Sequence, residues 1–172
     1  CGVYASGQVG YKVTNCNIAL GVRDVDLHNN VDETNWLGRH RGIFTTESND
    51  LIVDDNHLSA SFGANPAETE GIVIGYSRDN NDMVFRNSAT HLTNAYVGEG
   101  VCVDVNNKPA VGLTFMCNEN DDDQYDLWNR IATNSDPSTF SDQTIRTIQG
   151  TKFRPADNTF DGILLNEVLE HV

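Results

Sequence analysis

A short apolar unit recurs along this chain, and its recurrence limits the fold more than any other feature. The stretch GIFTTESNDLIVDDNHL, residues 42–58, returns as GIVIGYSRDNNDMVFRNSAT from Gly71 and as GVCVDVNNKPAVGLTFMCNEN from Gly100. The three glycines stand 29 residues apart, with Ile43, Ile72 and Val101 at one position and Thr45, Ile74 and Val103 two residues on. A second apolar stretch follows each polar corner. There Leu51, Met83 and Leu113 correspond, as do Val53, Phe85 and Phe115. Asp55-Asn56, Asn87-Ser88 and Cys117-Asn118 close the three copies.

Such a unit reads as two short alternating strands joined by a turn. One unit cannot bury its apolar face, but a stack of units can. Short β-runs, a glycine at each start and asparagine at each corner predict an all-β chain. Its expected form is one right-handed parallel β-helix domain of about five to six rungs over residues 1–172. Equivalent residues then lie one strand spacing apart, about 4.8 Å. Inward side chains stack into aliphatic columns, and corner asparagines can form side-chain ladders. Val13, Val53, Phe85 and Phe115 are the expected central column.

Residues 2–18 read as an earlier copy, with Val3 and Ala5 in a first strand, Tyr11 and Val13 in a second and Asn15-Cys16 as the corner. GVRDVDLHNN repeats part of this pattern, as an extra half-repeat or as the third side of a rung. VDETNWLGRHRG is the expected excursion that lengthens the first interval, from Gly2 to Gly42. SFGANPAETE and THLTNAYVGE connect the following copies, each with room for a third strand. Beyond NENDDD, the runs QYDLWNRIA and TIRTIQGTKFRPADNTF resume strand and turn patterning, with the loop NSDPSTFSDQ between them. DGILLNEVLEHV suits either a strand or a short helix. The chain opens at Cys1 in mid-pattern and stops at Val172 in the same way, as a piece of a longer protein would.

The formal charge of −14, from 25 acidic and 11 basic residues, argues against a nucleic-acid partner, which needs a basic footprint. No apolar run approaches the ~20 residues of a transmembrane segment. The four cysteines, Cys1, Cys16, Cys102 and Cys117, make no CxxC pair, so a zinc site of ordinary spacing is not expected. A Cys102–Cys117 disulfide and free thiols in the stacks both fit the spacing.

GLTFMCNEN, QYDLW, IRTIQGT and PADNTF together resemble the right-handed β-helix regions of large secreted or cell-surface proteins of Bacteroidetes, over roughly residues 40–160. Those proteins are often exported by the type IX route and end in a sorting domain. The resemblance implies an extracellular or cell-surface location. It also implies neighbouring domains or subunits stacked on the β-helix ends. It carries fold, not activity.

Three chemistries deserve weighing. A glycoside hydrolase or lyase is the alternative to a structural or adhesive module, and Asp54, Asp55 and the Arg39–Arg41 cluster would be its residues. A hydrolase needs paired carboxylates at a set separation. Asp54 and Asp55 are adjacent, so in a strand they face opposite ways, and a solvated corner is the preferred reading. Lyases of this fold combine calcium with a basic residue, yet Lys12, Lys108 and Lys152 stand outside any carboxylate cluster. Calcium itself could be held by Glu119, Asp121, Asp122 and Asp123, hard oxygen ligands at close spacing beside Asn118. This acidic loop reads more readily as a solvated face. His28, His40, His57, His91 and His171 form no metal motif. Trp36, Tyr76, Tyr96 and Trp128 could stack on carbohydrate, although covering the edges of rungs is their more ordinary role.

Overall fold

The computed structural model describes residues 2–20, 40–61, 69–77, 82–102, 112–130, 145, 149, 156–159 and 163–165. These residues form fourteen short strands and, among themselves, no helix, hence none long and apolar enough to cross a membrane. The strands come in threes. The first tier holds β1 (Val3–Ser6), β2 (Lys12–Thr14) and β3 (Asn17–Leu20), and the second β4 (His40–Thr46), β5 (Ile52–Asp54) and β6 (His57–Ala60). The third holds β7 (Thr69–Gly75), β8 (Met83–Phe85) and β9 (Ser88–Thr90), and the fourth β10 (Asn94–Glu99), β11 (Thr114–Met116) and β12 (Glu119–Asp121). Two further strands follow, β13 (Tyr125–Arg130) and β14 (Ile163–Leu165).

Strands of one tier do not pair with each other. Each pairs, in parallel, with its equivalent in the tiers above and below. The result is three sheets: β1-β4-β7-β10-β13-β14, β2-β5-β8-β11 and β3-β6-β9-β12. All-β architecture with stacked parallel sheets therefore holds, with three strands per unit rather than two. Residues 163–165 are a strand, and the rest of DGILLNEVLEHV lies outside the described residues. The proposed half-repeat and excursion at residues 21–39 lie outside the described residues.

The core runs up the middle of the three sheets. Ile43, Ile72, Ile74 and Tyr96 enter it from the first sheet, Leu51, Val53, Val84 and Phe115 from the second, and Leu58 and Ala89 from the third. All of these are at most 2% exposed. A second apolar stripe lies on the other face of the first sheet, where Phe44, Val73, Val97 and Trp128 are in register and packed together.

Two register expectations need correction. The predicted column through Phe85 is displaced by one residue, because Val13, Val53, Val84 and Phe115 are the actual partners. Phe85 pairs with Asp54 and Met116 and is only half-buried. Tyr76 through Asp82 is a corner two residues longer than Glu47 through Leu51, whereas a column through Phe85 requires three extra residues and so arrives one residue late. A slip of one residue exchanges the two faces of a strand. In the position of Leu51 and Leu113 the third tier has Asp82, fully buried, whose Oδ1 accepts the Leu51 N–H at 2.9 Å and whose Oδ2 accepts the Ser77 hydroxyl. Similarly, the Gly100 copy is out of phase in the first sheet. Ile72 pairs with Tyr96, not with Val101. Gly100 instead turns a corner at φ 69°, with the Tyr76 ring so close that a Cβ there would lie 2.7 Å from it.

One corner never changes length. Asn15-Cys16, Asp55-Asn56, Arg86-Asn87 and Cys117-Asn118 each join a strand of the second sheet to one of the third. The first residue of each pair is left-handed, at φ 56°, 55°, 51° and 54°, as is Asp157 at 48°. This conformation costs a non-glycine residue about 1 kcal/mol or more, and the residue after it accounts for its persistence. Asn56 Nδ2 donates to Val13 O at 3.0 Å and to Asn87 Oδ1 at 2.9 Å. Asn87 Nδ2 does the same to Val53 O and Asn118 Oδ1, both at 3.0 Å. Asn118 Nδ2 reaches Val84 O and Asn158 Oδ1, again both at 3.0 Å. Each Oδ1 also accepts the backbone N–H of the tier below, from Cys16, Asn56, Asn87 and Asn118 in turn. The expected ladder is thus present, with its phase set by Asn87 and not Ser88, and Asn158 extends it.

Two predictions follow from these columns. Val84→Asp should destabilise the chain by ~4 kcal/mol or more, because it buries an unpaired charge. Phe85→Asp should cost only about 1 kcal/mol. Equal effects in urea unfolding would refute the register. Asn87→Ala removes the donor to Val53 O and the acceptor for the Asn56 N–H, and should cost about 3 kcal/mol. A loss below ~0.5 kcal/mol would mean that the ladder adds nothing to the stack.

Candidate functional site

The outer face of the third sheet collects the most chemically versatile side chains among the described residues. Strand alternation puts every second residue there. One column runs Asn17, His57, Ser88 and Glu119, and Thr159 continues it through an isolated bridge. The neighbouring column runs Ala19, Ser59, Thr90 and Asp121. His57 Nδ1 and Ser88 Oγ are 2.6 Å apart on the exposed surface. At the far corner His91 Nε2 lies 3.2 Å from Asp122 Oδ2.

A serine beside a histidine suggests nucleophilic catalysis, but the spatial order is wrong. A triad places the imidazole between hydroxyl and carboxylate. Here Ser88 stands between His57 and Glu119, which are two strand spacings apart, roughly 10 Å. Glu119 therefore cannot orient the His57 ring. The face is an exposed, flat array of hydroxyl, imidazole and carboxylate groups, suited to hydrogen bonding with a polar polymer or surface.

The candidate hydrolase or lyase residues are dispersed. Asp54 projects from the second sheet, where Arg86 Nε and Nη2 donate to its two oxygens at 3.0 and 2.8 Å. That pairing raises the Arg86 pKa. Asp55 holds the left-handed corner position. Arg41 lies in the first sheet, buried, with Nε 2.7 Å from Glu70 Oε2, Nη2 3.6 Å from Glu99 Oε2 and its guanidinium 4.2 Å from the Phe44 ring centre. The structure therefore does not bring Arg41 to Asp54 or Asp55, and Arg39 lies outside the described residues. Lys12 is exposed on β2, whereas Lys108 and Lys152 lie outside the described residues.

The four acidic residues proposed for calcium are also divided. Glu119 and Asp121 point outward from β12, Asp122 turns the corner at φ 57° and pairs with His91, and Asp123 is buried, accepting the Leu92 N–H at 2.6 Å. Among the described residues, no group of three or more His, Cys, Asp or Glu side chains is placed to hold a metal ion. Among the aromatics, Tyr96 is 1% exposed and Trp128 packs on the outer apolar stripe. Trp36 lies outside the described residues. The Ser88–His57 contact and the Arg41–Glu70 pair were not anticipated. Their spacings of 31 and 29 residues are the repeat itself, so a search at that period would have found both.

Cys16, Cys102 and Cys117 are free thiols, so Cys102 and Cys117 are not joined. Cys102 is buried and its Sγ approaches the carbonyls of Ile74 and Glu99, each at 3.5 Å. Burial pushes its thiol up to about 12, from 9.0. A raised thiol pKa contributes stability that is complete below the unfolded value and is lost as pH climbs toward the folded one. Between pH 8 and pH 10 the wild type should lose about 1.4 kcal/mol more than Cys102→Ala. Urea unfolding at the two pH values measures this, and parallel losses in the two proteins would remove Cys102 as the cause.

Comparison with known proteins adds no relative: no protein-family model, curated protein or solved structure matches this chain.

Proposed function

We propose that this chain is a non-catalytic structural or adhesive module of an extracellular or cell-surface protein, built as a right-handed parallel β-helix of five to six rungs. The six strands of the first sheet support the rung count. Parallel crossovers are right-handed in about 98% of cases, which supports the hand. The acidic balance of 25 to 11 suits a solvated outer surface. The resemblance to Bacteroidetes surface proteins suits the location and a type IX-like export route.

One observation carries the module reading. In the described residues β1, β2 and β3 are the terminal strands of all three sheets at once. Among the described residues no strand lies beyond them, so a further tier would pair with these strands. The two large apolar side chains exposed among the described residues, Tyr4 at 62% and Val9 at 73%, belong to this same tier. Tyr4 prolongs the apolar stripe through Phe44, its ring 5.4 Å from the Phe44 ring centre to centre. A neighbouring domain or subunit adds its own tier here and covers these side chains. The flat polar face of the third sheet stays open for contact with carbohydrate.

Two measurements test the proposal. Light scattering across a concentration series should show self-association of the isolated chain. Tyr4→Lys with Val9→Lys should weaken it about tenfold or more, as charges do at sheet edges. A monomer at every concentration, unchanged by the substitutions, would defeat end-to-end stacking. Incubation with a polysaccharide panel should release no reducing ends or unsaturated uronate. Turnover that disappears in Asp54→Asn, Asp55→Asn would make the chain a carbohydrate-active enzyme instead.

A further inference from the structure

The corner between the third and first sheets changes character as the tiers ascend. In the second tier the Leu58 side chain fills the space beside Gly42, so closely that a Cβ on Gly42 would lie 2.5 Å from it. In the third tier Leu92 plays the same part beside Gly71, with a corresponding distance of 2.8 Å. Register identifies what stands there next. Leu58 pairs with Ala89, and Ala89 with Asn120. Leu92 lies a 31-residue repeat before Asp123, whose carboxylate accepts its N–H. The glycine column, Gly42 and Gly71, passes through Ala95 to Asp126. By register, an amide and two carboxylates thus occupy the positions at this corner that an apolar plug and glycine hold in the tiers below.

All three polar residues are buried: Asn120 at 5% exposed, Asp123 at 7% and Asp126 at 0%. Asn120 is the inward residue of β12, and neither its Nδ2 nor its Oδ1 has a hydrogen-bond partner. Leaving such an amide unsatisfied inside a fold costs about 1–3 kcal/mol per group. Tyr96 closes the space from the first sheet. Its hydroxyl donates to Asn87 O at 3.0 Å and lies 3.4 Å from Glu119 O, the residue before Asn120. Burial raises this phenol's pKa well above its usual value, and the negative charges of Asp123, Asp126 and Glu119 add to the shift.

We propose that this corner binds one hard divalent cation of the calcium class through the carboxylates of Asp123 and Asp126 and the side-chain oxygen of Asn120. Every donor is an oxygen, as such ions require, and the backbone carbonyls of the corner can complete the shell. The ion gives the Asn120 oxygen its partner. Because the site is internal, the ion enters as the chain folds. The exposed acids Glu119, Asp121 and Asp122 take no part.

The test strips the unfolded full-length chain with chelator and refolds it with calcium chloride, with terbium chloride or with neither. Equilibrium dialysis should find one tightly held ion per chain, and calcium should raise the melting temperature. Asp126→Asn should weaken binding about tenfold or more, since affinity follows ligand charge. Asp121→Asn with Asp122→Asn should bind as the wild type does. Asn120→Leu restores the apolar plug of the lower tiers and should fold without calcium and no longer respond to it. Terbium emission sensitised by tyrosine should fall in Tyr96→Phe while dialysis still finds the ion, a readout that does not depend on the Asp126 variant folding. A wild type that retains no ion overturns the proposal. So does equal binding by Asp126→Asn, equal loss in the Asp121, Asp122 variant, or terbium emission indifferent to Tyr96.

Discussion

The asparagine ladder is the constraint on which the stack depends. A parallel coil brings a corner of every tier to the same line, and the backbone there has donors and acceptors that no strand partner can meet. Asn56, Asn87, Asn118 and Asn158 meet them by a repeated geometry, each amide bonded to the carbonyl one tier down and, for Asn56, Asn87 and Asn118, to the next asparagine one tier up. Cys16 holds the equivalent place in the first tier and contributes only its backbone N–H. The ladder works because the corner is always two residues long, so strands of the second and third sheets cannot slide relative to one another.

The other two corners absorb the irregularity that the ladder forbids. Between first and second sheets the chain takes five residues at Glu47–Leu51 but fourteen at Gly100–Leu113. Between third and first it runs from Leu20 to His40 in one tier and from Thr90 to Asn94 in another. Loop closure grows only slowly more costly with length, roughly 0.6 kcal/mol per doubling. Insertions there are therefore cheap, while one at the asparagine corner would break four or more hydrogen bonds per tier. Spacing in the second and third sheets is 31 from the second tier to the fourth, as Asn56–Asn87 and Asn87–Asn118 show, and 40 from Asn118 to Asn158, while the first sheet shifts from 29 to 24.

Charge is distributed by the same logic. Acidic side chains on the outward columns, such as Glu119 and Asp121, are solvated, whereas buried ones are fixed by specific contacts. Asp82 replaces a leucine in the core and is held by the Ser77 hydroxyl and the Leu51 N–H. Glu70 is held by Arg41, itself stacked on Phe44. Breaking one member of a buried pair costs about 3–5 kcal/mol, although the pair as a whole need not stabilise.

Repetition, β-run length, corner asparagines and the need to stack were all determined by the sequence alone, because they rest on local pattern. Asn56 and Asn118 could be assigned to the corner from it directly, and the pairing of Val3, Ala5 and Val13 with the second tier follows from the same alignment. The face of β8 could not be assigned. Met83, Val84 and Phe85 are all apolar, so the strand has no alternation to read, and only the length of the preceding corner and the ladder at Asn87 choose Val84 for the core. Gly100 misled for a related reason, since glycine serves both at a strand start, where Gly71 admits Leu92, and at a left-handed turn. The burial of Asn120, Asp123 and Asp126, and the meeting of His57 with Ser88, were decided by the tertiary structure. Those contacts join separate tiers, and a chain's local pattern cannot fix which residues a neighbouring tier will lay beside them.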